Sequence, residues 1–439
     1  MSLSPQPRSL GFYGREAARY LISIVASQAP LLMSPVVIRK LGYAEFGLVE
    51  LALSSVGLLS ICLSFGLHQL LAVRMFKYPD RRRLIAETLV IYFLTAGPIC
   101  LILLTPFAAE YLNTRWLGTA DAAVFRLAVV AALFTFFRHL MLSLTTMSYR
   151  SGLYMLLEIS SALIYVLMIL SGAAAHVLSV RWVLYAQLMS LLPAIFAGAA
   201  FALTMPGFLR EIRKALTEIR RWAGLLVDTL KSSIPFVGVG LVTQLNSVSD
   251  RFVLLRSGIS TEEIGAYSIS NRLAGVLPVL ATYLIGNLYS RELYGRCAAA
   301  ARESANGVSF GMAHAVRSAR LACGAMIPVL VCYYFAVAML IGPVYDKPFE
   351  SLIAFPGLLV AYGISVVTAF FMPLLIFATR TTQILLIIFF GTSVNILMNT
   401  VLIPVIGARA CAVSLVSSNL LILVMVVLGS RKIARQVAA

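Results

Sequence analysis

The chain has 439 residues, of which 60% are hydrophobic and 12% charged, and its mean hydropathy is +0.92. A water-soluble globule carries roughly 25% charged residues, so this composition excludes a protein folded mainly in water and points to lipid as the solvent. The formal charge of +17 is gathered in clusters between apolar stretches rather than interleaved with aromatics on a polar face, which argues for membrane topology and against nucleic acid as a partner.

A bilayer core about 30 Å thick needs roughly 20 apolar residues per helix. Runs of that length predict helices near 18–38, 47–72, 84–105, 124–147, 152–172 and 182–204. A second set follows near 233–254, 265–290, 320–342, 351–372, 383–404 and 409–429. The first run has Arg15 and Arg19 ahead of it but no small-residue cleavage site after it, so it is expected to be an uncleaved spanning helix. Basic clusters recur on alternate connections: Arg81 to Arg83, Arg210 with Arg213 and Lys214, Arg317 with Arg320, and Arg431 with Lys432. The positive-inside rule places these, and with them both chain ends, in the cytoplasm. Six cysteines show no CxxC spacing and read as small apolar packing residues.

Residues 205–232 separate the two sets. Phe208, Leu209, Ile212, Leu216, Ile219 and Trp222 fall at helical spacing with basic residues between them, so this stretch is expected to lie flat on the inner leaflet as an amphipathic linker. It divides residues 1–204 from residues 233–439. An internal repeat supports the division: Gly42, Glu45, Phe46, Gly47 and Gly57 can be laid on Gly258, Glu263, Ile264, Gly265 and Gly275, with two extra residues in the second copy. Copies that start on the same side and cross an even number of times are parallel repeats about an axis along the membrane normal. The expected fold is an all-α integral membrane protein of about 12 transmembrane helices, in two six-helix lobes around a central cavity.

Charges inside hydrocarbon cost about 2.5 to 3.5 kcal/mol or more near the centre, so each invites a functional hypothesis. On the seventh helix Thr243, Asn246, Ser247 and Asp250 share one face. They form either a wet cavity wall with an ion or gating site at Asp250, or polar packing glue. Arg272 on the next helix is expected at a depth similar to Asp250, as a pair with it or as a structural bridge. Arg251 is expected to snorkel. In the first half Arg138 with His139 is the candidate cationic site, competing with a structural pair between Arg138 and Glu158. A guanidinium in a low-dielectric cavity can hold phosphate bidentately. Pro30 and Pro35 predict a bend in the first helix. Thr392, Asn395 and Asn399 read as helix packing, Glu50 as interfacial, and His68 as a packing residue.

No nucleotide-binding loop, HExxH or GxSxG pattern is present, nor clustered carboxylates of metal-holding type. The sequence therefore predicts no enzyme, cofactor or metal. A glycan ligase or polymerase would need a larger outer catalytic loop than the segment near 106–122.

The stretch Ile38 to Gly47, followed by an apolar helix and Phe65-Gly66-Leu67, resembles the opening of bacterial polysaccharide transporters. So does Ser247 to Leu255, followed by Glu263 to Leu273. The resemblance is to the Wzx-type lipid-linked oligosaccharide flippases of the multidrug/oligosaccharidyl-lipid/polysaccharide exporter superfamily. It implies transfer of an undecaprenyl-pyrophosphate-linked glycan from the cytoplasmic to the periplasmic leaflet of the bacterial inner membrane, by alternating access, for O antigen, capsule or exopolysaccharide. Its partners would be that anionic glycan lipid, membrane lipid and polysaccharide polymerase or export machinery. The substrate-binding role then falls to Arg138, His139, Arg272 and Asn246, and the coupling-ion or gating role to Asp250 and Glu158. The alternative is an ion-coupled exporter of small molecules of multidrug type.

Overall fold

The computed structural model describes residues 10–74, 81–117, 121–147, 151–204, 207–217, 219–284, 289, 293, 297, 307–345, 352, 354–378 and 380–438. The first half holds Leu10–Ser27 (α1), Ala29–Ser64 (α2), Leu67–Arg74 (α3), Arg81–Leu104 (α4), Pro106–Leu112 (α5) with a π-helical turn after it, Ala122–Met147 (α6), Ser151–Ala174 (α7), Val180–Met189 (α8) and Leu192–Thr204 (α9). Phe208–Thr217 (α10) precedes Ile219–Arg256 (α11), Thr261–Leu284 (α12), Gly307–Tyr345 (α13), Phe355–Ala369 (α14), Met372–Phe377 (α15), Thr381–Ile406 (α16) and Arg409–Ala438 (α17).

Among the described residues, eight helical segments are long and apolar enough to cross a bilayer. The first of them, Ala18–Ser64, has 47 residues, about 70 Å at 1.5 Å per residue and more than twice a bilayer core. It therefore crosses twice. The reversal is at Gly42, whose φ of 82° and ψ of 170° lie inside α2, a conformation open to glycine and strained for an L side chain. Prolines mark two further interruptions: Pro30 lies in the first turn of α2 after the break at Gln28, and Pro373 in the first turn of α15. With α11, α12 and the α14–α15 pair as further passes, the protein is an all-helical membrane protein of about twelve crossings.

Two expectations change. Residues 208–217 form the amphipathic helix α10, packed on α4 and α9, but Ile219 to Lys231 do not lie flat with it; they are the first turns of α11. The ninth spanning helix begins at Gly307 rather than near 320. The reason is common to both. Apolar runs mark the part of a helix that lipid surrounds, whereas arginine and lysine are good helix formers and let it continue beyond the hydrocarbon.

The packing joins the two halves of the sequence through α2. It lies on α6 and α7 of its own half and on α11 and α12 of the other, while α11 packs on α16, α16 on α17, and α14 on both α12 and α17. Gly47 of α2 and Gly265 of α12 make the closest approach. A Cβ on Gly47 would fall on the Thr261 carbonyl, and one on Gly265 would fall on the Tyr43 carbonyl. The two repeat copies thus cross at their own equivalent glycines, and both open on a left-handed glycine, Gly42 at φ 82° and Gly258 at φ 77°. Near this crossing α2 also reaches α13: Ser34 Oγ is 3.0 Å from the Tyr345 hydroxyl, the Tyr43 hydroxyl donates to the Tyr345 carbonyl at 3.1 Å, and Arg39 donates to the Pro343 carbonyl at 2.7 Å. At the opposite end Arg74 of α3 donates to Thr229 Oγ1 of α11 at 3.1 Å.

Candidate functional site

Three buried charge clusters stand out. The first is built on α2, where Gly47 and Glu50 are three residues apart and so lie on one face. Close approach of α12 at Gly47 carries Glu50 into the interface, where it is 2% exposed. Arg272 Nη2 of α12 lies 2.5 Å from its Oε1, and Arg251 Nη2 of α11 lies 3.4 Å from its Oε2. Arg251, 6% exposed, also donates to Ser268 Oγ at 3.1 Å and to the Ser247 carbonyl at 3.4 Å. The Arg272 guanidinium sits 5.8 Å from the Phe46 ring centroid. A lone buried charge costs several kcal/mol, so one carboxylate held by two guanidiniums is a cluster whose members depend on each other.

The second cluster is neutral except for its centre. Asp250 of α11 is 2% exposed; one oxygen accepts from the Tyr267 hydroxyl at 2.5 Å and the other from Asn399 Nδ2 at 2.7 Å. Asn395 Nδ2 donates to Asn246 Oδ1 at 3.1 Å, and Asn399 Nδ2 also lies 3.1 Å from Asn395 Oδ1. Ser414 of α17 donates to Asn399 Oδ1, and Ser418 donates to Asn246 Oδ1 at 3.4 Å. One helical stripe on α16, Thr392, Asn395 and Asn399, is thereby zipped to Val242, Asn246 and Asp250 on α11. Buried polar groups are costly unless partnered, and here they partner one another.

The third lies in the first half. Arg138 Nη2 of α6 donates to both oxygens of Glu158 on α7, at 2.8 and 3.0 Å, with Glu158 at 2% exposure and Arg138 at 27%. His139 next to it faces His68, ring centroids 5.2 Å apart.

These positions redraw several expectations. Asp250 and Arg272 do not pair: Glu50 takes the arginine, and tyrosine and asparagine take the aspartate. Glu50 is a buried hub rather than an interfacial residue, because the glycine crossing draws its helix face inward. Arg251 does not snorkel, since Ser268 and Glu50 satisfy it inside. Thr243 and Ser247 are exposed, so only Asn246 and Asp250 of the four-residue stripe turn into the cluster. Tyr267, Ser414 and Ser418 were not singled out from sequence. A signal for Glu50 existed: counted from the turn glycines Gly42 and Gly258, Glu50 and Arg251 lie at nearly equal depth.

The comparisons with known proteins agree with this architecture. A family model described as "Polysaccharide biosynthesis protein" matches residues 15–289. No curated protein sequence matches the chain significantly. Among solved structures, an inward-facing multidrug resistance MATE family transporter of the MOP superfamily superposes with a TM-score of 0.68 at 14% identity, over 96% of this chain and 95% of that one. An outward-facing MATE transporter gives 0.67 at 14% identity, with 96% of each chain covered. The lipid II flippase MurJ in an inward closed conformation gives 0.66 at 11% identity, over 94% of this chain and 87% of that one. At these identities the likeness is one of fold.

Proposed function

The chain belongs to the polysaccharide biosynthesis protein family, and from that premise we propose that it is a flippase for an undecaprenyl-pyrophosphate-linked oligosaccharide destined for O antigen, capsule or exopolysaccharide. It acts in the bacterial inner membrane with both termini cytoplasmic and the Gly42 and Gly258 turns on the outer side. Its two lobes, residues 1–204 and 233–439, rock about the α2–α12 crossing, and residues 205–232 link them. Polymerase or export machinery receives the product. The fold shared with a lipid II flippase supports this reading.

The observation that carries the proposal is the Arg251–Glu50–Arg272 cluster across the α2–α12 contact. Its cations, on α11 and α12, are held by a carboxylate of α2, so separation of α2 from those two helices releases them. A pyrophosphate is the competing anion of matching chemistry, since guanidinium grips phosphate oxygens through paired hydrogen bonds. Arg272 is therefore assigned to substrate binding on opening, with Asn246 supplying amide contacts from the same half. Arg138 and His139 bind the glycan lipid from the other half, with Glu158 as the counter-charge that gates Arg138. Asp250, surrounded by hydroxyl and amide groups, is assigned to coupling: a bound proton or small cation there changes how α11 is held by α16 and α17.

Loss of the protein should leave a polyprenyl-linked glycan accumulating in the cytoplasmic leaflet. Asp250→Asn should alter the ion or pH dependence of transport at unchanged protein yield. Efflux of cationic drugs with no glycan-lipid phenotype would instead identify an ion-coupled small-molecule exporter.

A further inference from the structure

Far from these clusters, α13 and α17 flank an open groove of about 750 Å³ lined by Met312, Val316, Leu321, Arg317, Arg320 and Arg431. It lies at the membrane end opposite the Gly258 turn, because α12 runs away from that turn and α13 returns toward it. Its wall divides by chemistry. Three arginines, all exposed, supply positive charge with no carboxylate among the described lining residues. Met312, Val316 and Leu321 supply an apolar wall, and Leu321 opens the exposed apolar strip of α13 that continues through Ile327, Val331, Phe335 and Met339. Among the described residues those side chains stay largely exposed, as side chains that meet acyl chains do. Cationic headgroup contacts at one end of a lipid-facing apolar strip are what a phosphate-bearing lipid requires.

We infer that α13 and α17 form a binding site for an anionic membrane phospholipid, its phosphates on Arg317, Arg320 and Arg431 and its acyl chains along the apolar strip of α13. The three charges match a headgroup with two phosphates better than one with a single phosphate, so cardiolipin is the best-fitting occupant. The inference does not depend on what the protein transports.

The test is lipid binding to the purified full-length protein in detergent, read by native mass spectrometry with added cardiolipin, phosphatidylglycerol, phosphatidylcholine or inorganic diphosphate. Cardiolipin should bind tightest and phosphatidylcholine weakest. Each of Arg317→Ala, Arg320→Ala and Arg431→Ala should weaken cardiolipin binding about fivefold. The charge-conserving pair R317K/R320K should keep most of it, and Arg213→Ala, an exposed arginine on α10, should leave it unchanged. Equal binding of phosphatidylcholine and cardiolipin would overturn the assignment. So would alanine variants that bind like the parent, a loss at Arg213→Ala as large as at Arg317→Ala, or inorganic diphosphate binding as tightly as the lipid.

Discussion

Glu50 and Arg272 meet at 2.5 Å across the contact between α2 and α12, on helices from opposite halves of the sequence. Glu50 is buried and Arg272 half-buried, with Arg251 sharing the same carboxylate. Glu50→Ala leaves Arg251 and Arg272 without their shared carboxylate and should destabilise the protein by about 3 to 5 kcal/mol. Thermal unfolding of the single variants and of the E50A/R272A double variant checks this. A coupling energy of about 0.5 to 3 kcal/mol is expected, and additive losses would mean that the two residues do not stabilise each other.

The crossing at Gly47 and Gly265 has no room for a Cβ. Gly265→Ala should push α12 away from α2 and loosen the seal at the end that carries Gly42. Thiol labelling of a Ser54→Cys probe, a buried position on α2, should then speed up several-fold. Gly275→Ala in the same helix meets nothing within 4 Å and should leave labelling unchanged, because a helix-interior alanine at an unhindered site is neutral to mildly stabilising. Equal labelling in the two glycine variants would show that the crossing does not control access.

Arg138 and Glu158 separate structural from transport roles. Arg138→Ala alone buries an unpaired carboxylate and should lower stability by about 3 to 5 kcal/mol. Adding Glu158→Gln removes that buried charge and should restore much of the stability measured by unfolding. If Arg138 contacts substrate, transport stays low in the double variant; recovery of transport together with stability would assign Arg138 to packing alone.

The fold was legible in the sequence because lipid imposes a simple rule: the part of a helix that hydrocarbon surrounds is mostly apolar, and charge collects beyond it. The glycine pattern was legible too: Gly42 and Gly258 both take a positive φ, and Gly47 and Gly265 meet where α2 crosses α12. The site was less legible. Sequence spacing gives depth along a helix, but not which neighbour a side chain faces. Spacing from the turn near Ser260 predicts a similar depth for Arg272 and Asp250, yet Tyr267 is the α12 residue that meets Asp250, and Arg272 meets Glu50 of the other half because the glycine crossing brings α2 against α12. The asparagines of α16 read as packing residues for the same reason, since their partner stripe on α11 becomes evident only when the two helices are placed together.

The central claim is tested most directly by reconstituting the protein in proteoliposomes with a fluorescent polyprenyl-diphosphate-linked oligosaccharide and following the loss of inner-leaflet label to a membrane-impermeant quencher. The parent protein should move the label across, and Arg272→Ala should slow it roughly 10- to 100-fold, the worth of a hydrogen bond to a charged group, while still inserting as a folded protein. Transport by Arg272→Ala at the parent rate, or parent proteoliposomes no faster than protein-free ones, would contradict the account.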